Sequence, residues 1–185
     1  MHHLVKWLAR ASAVIGGLVL LALILLTTLS IIGRELSKLG HSLGDGWLGQ
    51  MLIATGVDEI KGTYELTEAG VAFAIFAFFP ICQFYGNHAT VDVFTSALPR
   101  RPLGWLRAFW EVVLAFVIVF ISLRLYEGMQ RYLGNGETTL FLQFPVWWAY
   151  AVSVAAAAIA SLTAIYCAYV RILEAAKGRM ILPEG

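Results

Sequence analysis

The chain has 185 residues, of which 59% are hydrophobic and 14% are charged, and its formal net charge is +1. This composition lies outside the range of ordinary soluble domains and leaves no segment that could form a soluble catalytic domain. The nearly balanced charge argues against a nucleic acid partner.

Four apolar segments fill most of the chain and predict its fold. Each has about 20 residues or more, which is enough to cross a hydrocarbon core of about 30 Å as a helix. The segments are residues 11–32, 66–85, 105–126 and 146–170. We predict an all-α integral membrane protein whose single domain, residues 1–185, contains four transmembrane helices. Gly33-Arg34-Glu35, and not a small-residue cleavage site, follows the first segment, so we interpret that segment as a retained helix.

The lysines and arginines predict the orientation, because positive charge is enriched in cytoplasmic loops. We predict that both termini are cytoplasmic, because this orientation places eight basic residues on the cytoplasmic side and five on the other. The inner set is Lys6, Arg10, Arg100, Arg101, Arg107, Arg171, Lys177 and Arg179, and the outer set is Arg34, Lys38, Lys61, Arg124 and Arg131.

Tryptophans near the ends of the predicted helices support these boundaries, because indole prefers the level of the lipid headgroups. Arginines beside them can meet anionic headgroups at the inner surface. The predicted membrane-interface anchors are Trp7, Arg100, Arg101, Trp105, Trp110, Trp147 and Trp148.

Two loops contain candidates for short surface helices. Val91, Phe94 and Leu98 recur at helical spacing before Pro99, which predicts an amphipathic interfacial helix over residues 88–98. In the first outer loop, residues 33–63, the glycine-rich sequence around Trp47 fits either a second surface helix or an irregular loop.

The fourth apolar segment has a row of small residues. Ala149, Ser153, Ala157 and Ser161 recur at every fourth position. Small residues let helix backbones approach closely in lipid. We therefore expect another helix, from this chain or from a partner subunit, to cover this face.

Charged residues near the helix ends are the remaining candidates for a site. Glu65 and Glu68 lie one turn apart at the start of the second helix. There they either interact favourably with the positive end of the helix dipole or form an ion pair with an arginine. The candidate partner for this ion pair is Arg34 or an arginine of a partner subunit. Glu111 and Arg124, near opposite ends of the third helix, are interpreted as interface anchors.

Cofactor chemistry has no support in the sequence. His2, His3, His41 and His88 all lie outside the four apolar segments, so haem with two histidine ligands inside the membrane is excluded. Cys82 and Cys167 lack metal-ligand spacing. No phosphate-binding, zinc or nucleophile motif is present. We predict no catalytic, cofactor-binding or metal-binding residue.

Three short stretches at helix boundaries carry a family resemblance. They are Gly62-Thr63-Tyr64-Glu65-Leu66, then His88-Ala89-Thr90-Val91-Asp92-Val93-Phe94 with Leu98-Pro99-Arg100-Arg101, and Phe144-Pro145-Val146-Trp147-Trp148-Ala149-Tyr150. With the number, order and length of the helices, they resemble the small membrane subunits (DctQ-like, or Q, components) of tripartite ATP-independent periplasmic (TRAP) transporters. Two departures are the long stretch of residues 36–61 within the first outer loop, and the lack of a basic residue in Tyr85-Gly86-Asn87 before His88.

The resemblance implies a non-catalytic subunit in the bacterial inner membrane, surrounded by lipid. In such systems a large membrane subunit carries substrate and sodium ions, and a periplasmic binding protein, often specific for an organic acid, makes transient contact. The small subunit is expected to scaffold the large one, with the fourth helix and the region of Glu65 and Glu68 contributing to the contact. Two alternatives remain, a membrane anchor of a respiratory or redox enzyme and a small channel or carrier that works alone.

Overall fold

A computed structural model describes residues 2–42, 60–86 and 100–177. These residues form four helices, α1 (His2–Ser42), α2 (Thr63–Tyr85), α3 (Arg100–Asn135) and α4 (Val146–Lys177). Each helix is long and apolar enough to cross a membrane. The predicted all-α membrane fold with four such helices is therefore confirmed. The orientation stays a prediction, and the two candidate surface helices lie outside the described residues.

The helices extend beyond the apolar segments. α1 has 41 residues and α3 has 36, because their polar ends continue the helix past the hydrocarbon-length core. In the last turns of α1, Lys38 donates a 2.8 Å hydrogen bond to Glu35, three residues before it. Such pairs on a helix surface favour the helical state in water. Apolar length therefore predicts the number of helices better than their ends.

The four helices pack in a row whose order differs from the chain order. α1 packs on α2, α2 packs on α4, and α4 packs on α3, while α1 makes only a minor contact with α4. Among the described residues, no Cα atoms of α2 and α3 approach within 8 Å. The row α1–α2–α4–α3 therefore places the last helix of the chain in an interior position and leaves a gap between α2 and α3.

α1 and α2 pack closely along antiparallel axes. A Cβ built on Gly16 would lie 2.9 Å from Cβ of Ala77, so a larger residue there would separate the helices. At the other end, the Ser30 hydroxyl accepts a 3.2 Å hydrogen bond from the backbone N–H of Ile60, and the Thr63 hydroxyl lies 3.2 Å from it. Following the predicted orientation, we call the ends of the helices near Ser30 and Thr63 the outer end of the structure. The opposite ends of the helices form the inner end.

Small residues dominate the interior around α4. Ala156, Ala157, Ala160, Ala164 and Ala168 are all buried. Together with two residues of α3, Ala115 and Ile118, the last three of these alanines form one buried apolar cluster, against which Phe79 of α2 packs. We call this set the central apolar cluster. Along the helix axes, it lies between the inner end and the outer end.

Candidate functional site

A polar cluster joins three helices at the inner end. The Gln83 amide of α2 donates a hydrogen bond to the Glu111 carboxylate of α3. On α4, Arg171 lies 3.9 Å from the same carboxylate and 3.0 Å from Glu174. We call Gln83, Glu111, Arg171 and Glu174 the inner cluster. Since the side chains of Glu111 and Arg171 are only 11% and 10% exposed, these charges are neutralised by one another and not by water.

The interpretation of Glu111 as an interface anchor is wrong, because its side chain points into the row and is buried. Sequence reasoning missed the inner cluster because its members lie on three separate helices, far apart along the chain. The available signal was the position of Gln83, a polar residue inside an otherwise apolar helix, near the same end as Arg171. Such a residue needs a hydrogen-bond partner inside a membrane protein.

The first helix is joined to the inner end by a different contact. The Arg10 guanidinium donates a 3.0 Å hydrogen bond to the Tyr85 hydroxyl. Tyr85 packs on a buried group of Phe84, Cys167 and Val170, with Phe84 edge-on at 5.4 Å between ring centroids. All four helices are therefore connected at this end by polar side chains.

At the outer end, Glu65 holds the loop between α3 and α4. Its carboxylate accepts hydrogen bonds from the backbone N–H groups of Phe141, at 2.7 Å, and Leu142, at 3.1 Å. We call residues 136–145 the second outer loop. The loop closes on itself through Thr139 N–H to Phe144 O and Val146 N–H to Glu137 O, both at 3.0 Å. Consecutive backbone N–H groups directed at one carboxylate form a local anion site, which here is occupied by a side chain of the same chain.

Gly62 completes this contact. Its φ of +83° is in the left-handed region, which favours glycine, and a Cβ there would overlap Cγ of Leu142. The turn before α2 and the tip of the second outer loop therefore fit together only with glycine at this position.

A cavity of about 270 Å³ lies beside Glu65, between α2, α3 and α4. Its walls contain apolar side chains, two carboxylates and three hydroxyl groups. They are formed by Glu65, Glu68, Ala69, Ala72, Leu125, Thr139, Phe144, Val146, Ala149, Tyr150 and Ser153. We call it the outer cavity. Glu68 is exposed, and no cationic side chain of the described residues pairs with it.

Neither polar region has the composition of a metal centre. Within the described residues, no group of three or more histidine, cysteine or carboxylate side chains could hold a metal ion. In the inner cluster Arg171 pairs with both carboxylates, and the Gln83 amide hydrogen-bonds to Glu111.

The sequence profile of the family described as "Tripartite ATP-independent periplasmic transporters, DctQ component" matches residues 49–175, well over half of the chain. The chain belongs to the DctQ family. No curated protein and no solved structure matches it. DctQ proteins are components of TRAP transporters in the inner membrane and are not enzymes, so the resemblance seen at the helix boundaries is confirmed. The match also decides against the redox-anchor alternative.

In this DctQ protein the row of small residues on α4 packs within the chain. Ser153 is 2% exposed and Ala157 is fully buried, while Ala149 and Ser161 are half-buried. The Ser122 hydroxyl of α3 lies 2.9 Å from the Ser161 hydroxyl and 3.3 Å from the Ala157 carbonyl oxygen. The helix that covers this face in the structure is thus α3 of the same chain.

The arginine predicted to pair with Glu65 or Glu68 has another neighbour. Arg34 lies 3.7 Å from Glu35, and both side chains are about half exposed. Among the described residues no ion pair joins Arg34 to Glu65 or Glu68. An arginine of a partner subunit stays a prediction for Glu68.

Most of the predicted anchors are on the surface. Trp7, Trp105, Trp110 and Trp148 are more than half exposed, and Trp147 is half-buried and edge-on to Trp148. Arg100 and Arg101 form the first two residues of α3, but their side chains lie outside the described part of the structure. The role of all seven as membrane anchors stays a prediction.

Proposed function

We propose that this DctQ protein is the subunit that scaffolds the large membrane subunit of its transporter, during sodium-coupled uptake of an organic acid delivered by a periplasmic binding protein. The proposal has two parts. The first is that the chain itself does not conduct substrate or sodium. The second is that a specific surface of the chain contacts the large subunit.

The central apolar cluster is the observation that carries the first part. Ala115, Ile118, Ala160, Ala164 and Phe79 fill the space between the inner cluster and the outer cavity. A conduction path for an anion or a cation needs polar groups or water along its whole length, because an uncompensated charge in hydrocarbon costs several kcal/mol or more. The described interior has its charged groups at its two ends, and between them the hydroxyls of Ser122 and Ser161 bond to each other inside apolar packing, which supports a packing role.

An ion pair on α3 supports the second part. The Arg124 guanidinium lies 2.8 Å from the Glu127 carboxylate, and the two side chains are 64% and 53% exposed. Because Ser122 meets Ala157 on the antiparallel α4, Arg124 lies roughly 13 Å inward of the first residue of α4, at 1.5 Å per residue. At that level α4 is still apolar, so this exposed pair would face lipid if nothing covered it.

Charged side chains inside a membrane protein usually face other protein or a water-filled space. The described residues of this chain do not cover Arg124 and Glu127, and the large subunit is the partner implied by the family. We therefore place the contact with the large subunit on the outer half of α3. The arginine and carboxylate would then meet polar groups of complementary charge on that subunit.

Co-purification tests this placement with a matched control. Replacing Arg124 and Glu127 together by alanine preserves the net charge and removes the pair. We expect a lower yield of the large subunit with the tagged chain and a lower rate of substrate uptake. Replacing Arg34 and Glu35 by alanine removes another exposed outer pair and should leave both quantities at the wild-type level.

Equal yields for the two double variants and wild type would rule out this surface. The non-conducting role has its own test, which is reconstitution of the chain without the large subunit. Sodium-dependent uptake of the organic acid by such vesicles would contradict the scaffold role. Uptake that requires both subunits, the binding protein and a sodium gradient is the expected result.

A further inference from the structure

The outer cavity changes in character along the predicted membrane normal. Glu65 and Thr139 lie at its outer side, Glu68 and Tyr150 follow, and Ala72 lies deepest on α2. From Glu65 to Ala72 the helix rises about 10 Å. The two carboxylates thus lie toward the outer surface, and the deeper walls are apolar apart from the hydroxyl of Ser153 on α4.

We propose that the outer cavity binds one phospholipid of the outer leaflet with an ammonium headgroup, such as phosphatidylethanolamine. An acyl chain occupies the space between α2 and α3, and the ammonium group lies beside Glu68. The polarity of the cavity has the same direction as that of such a lipid.

The exposed carboxylate of Glu68 favours an ammonium headgroup. The Glu65 carboxylate already accepts two backbone hydrogen bonds from the second outer loop. Glu68 is exposed and has no cationic partner among the described residues, so it is the group that is free to bind a cation. Tyr150, whose ring packs against Tyr132, lines the same space.

The volume and the apolar walls of the outer cavity favour an acyl chain as the occupant of its deeper part. Since no Cα atoms of α2 and α3 approach within 8 Å across the described residues, side chains alone bridge the gap between these helices. A helix with its side chains is about 10 Å wide, so a cavity of about 270 Å³ cannot hold one. The cavity takes part of one acyl chain, and the rest of the lipid lies in the bilayer beside it. Walls of Ala69, Ala72 and Leu125 give water few hydrogen-bond partners, whereas a hydrocarbon chain packs against them.

Native mass spectrometry of the delipidated full chain tests the proposal. The probes are phosphatidylethanolamine and phosphatidylglycerol with identical acyl chains. We expect one phosphatidylethanolamine to bind about fivefold more tightly than phosphatidylglycerol, which is the ratio that one exposed ion pair supports. Equal affinity of the wild-type chain for the two lipids would overturn the assignment of the headgroup.

Two variants with matched controls locate the site. Glu68→Gln should make the two affinities equal, whereas Glu35→Gln, at another exposed outer carboxylate, should preserve the difference. Ala72→Leu fills the cavity and should reduce the binding of both lipids, whereas Ala158→Leu, on the exposed side of α4, should not. Equal behaviour of a variant and its control would place the lipid elsewhere.

A basic side chain of the large subunit is the competing occupant. If Glu68→Gln lowers the yield of the large subunit and leaves the lipid preference intact, the carboxylate serves that subunit and the lipid proposal is overturned. Glu68→Gln changes an exposed side chain, so it remains a valid test if Ala72→Leu prevents folding. None of these outcomes depends on the placement of the large subunit on α3.

Discussion

Glu65 at the start of α2 accepts a 2.7 Å hydrogen bond from the backbone N–H of Phe141, 76 residues further along the chain. This contact gives the second outer loop a defined position over the outer cavity. It also separates the roles of the two neighbouring carboxylates, because Glu65 is engaged within the chain and Glu68 is exposed.

The first prediction concerns this difference. Glu65→Gln removes the charge that strengthens the two backbone hydrogen bonds, so the second outer loop should open more often. Amide hydrogen exchange of Phe141 and Leu142 in detergent should become faster. Glu68→Gln is the control and should leave exchange in this loop unchanged. If both variants have the same exchange rates as wild type, Glu65 does not hold the loop.

A second prediction tests the fit between Gly62 and Leu142. Gly62→Ala places a Cβ where Leu142 now lies and forces alanine into a positive φ, so we expect a loss of roughly 1–2 kcal/mol in the free energy of unfolding. Adding Leu142→Ala should relieve the clash and restore part of this loss. Unfolding titrations in mixed detergents measure both. A double variant no more stable than Gly62→Ala alone would contradict the contact.

The inner cluster should behave as one unit. Arg171→Met leaves Glu111 buried without its cation, which typically costs roughly 3 kcal/mol or more. Glu111→Gln is also destabilising, but the double variant should lose less than the sum of the two. Arg124→Met, at an exposed pair, should lose less than about 1 kcal/mol. Additive effects at Glu111 and Arg171 would show that the two residues are not coupled.

The small residues of α4 yield a prediction about folding rather than assembly. Ala157 is fully buried beside Ser122 of α3, so Ala157→Leu overpacks the interior and should lower stability by roughly 1–3 kcal/mol. The isolated chain should therefore have a lower melting temperature. Ala158→Leu adds the same side chain at an exposed position and should not lower it. Any loss of the large subunit on Ala157→Leu would then follow from misfolding of this chain.

The number and type of the helices could be predicted from the sequence because hydrocarbon length sets a simple criterion. The same criterion does not set helix ends, since Glu35 and Lys38 continue α1 into polar surroundings. The order of the helices in the row was not predictable either. The apolar segments have similar compositions, and the sequence of α4 does not indicate that α2 and α3 pack on either side of it.

The two polar regions differ in how far the sequence predicted them. Glu65 and Glu68 were identified because two carboxylates at a helix start are unusual in an apolar helix, but their partners were not, since backbone N–H groups leave no signal in a sequence. Glu111 and Arg171 each had an individual explanation at a helix end, and Gln83 had none. Only the packing of three helices brings them together.

The interior position of α4 has a consequence for the order of events during synthesis. The ribosome releases the N-terminal helices first, so α3 enters the bilayer before its main neighbour, the C-terminal α4, exists. Until then Glu111 has no Arg171 beside it, and the Ser122 hydroxyl has no carbonyl of α4 to meet. A ribosome that stalls before α4 would therefore leave three inserted helices in which the Glu111 carboxyl group has the Gln83 amide but no cation beside it.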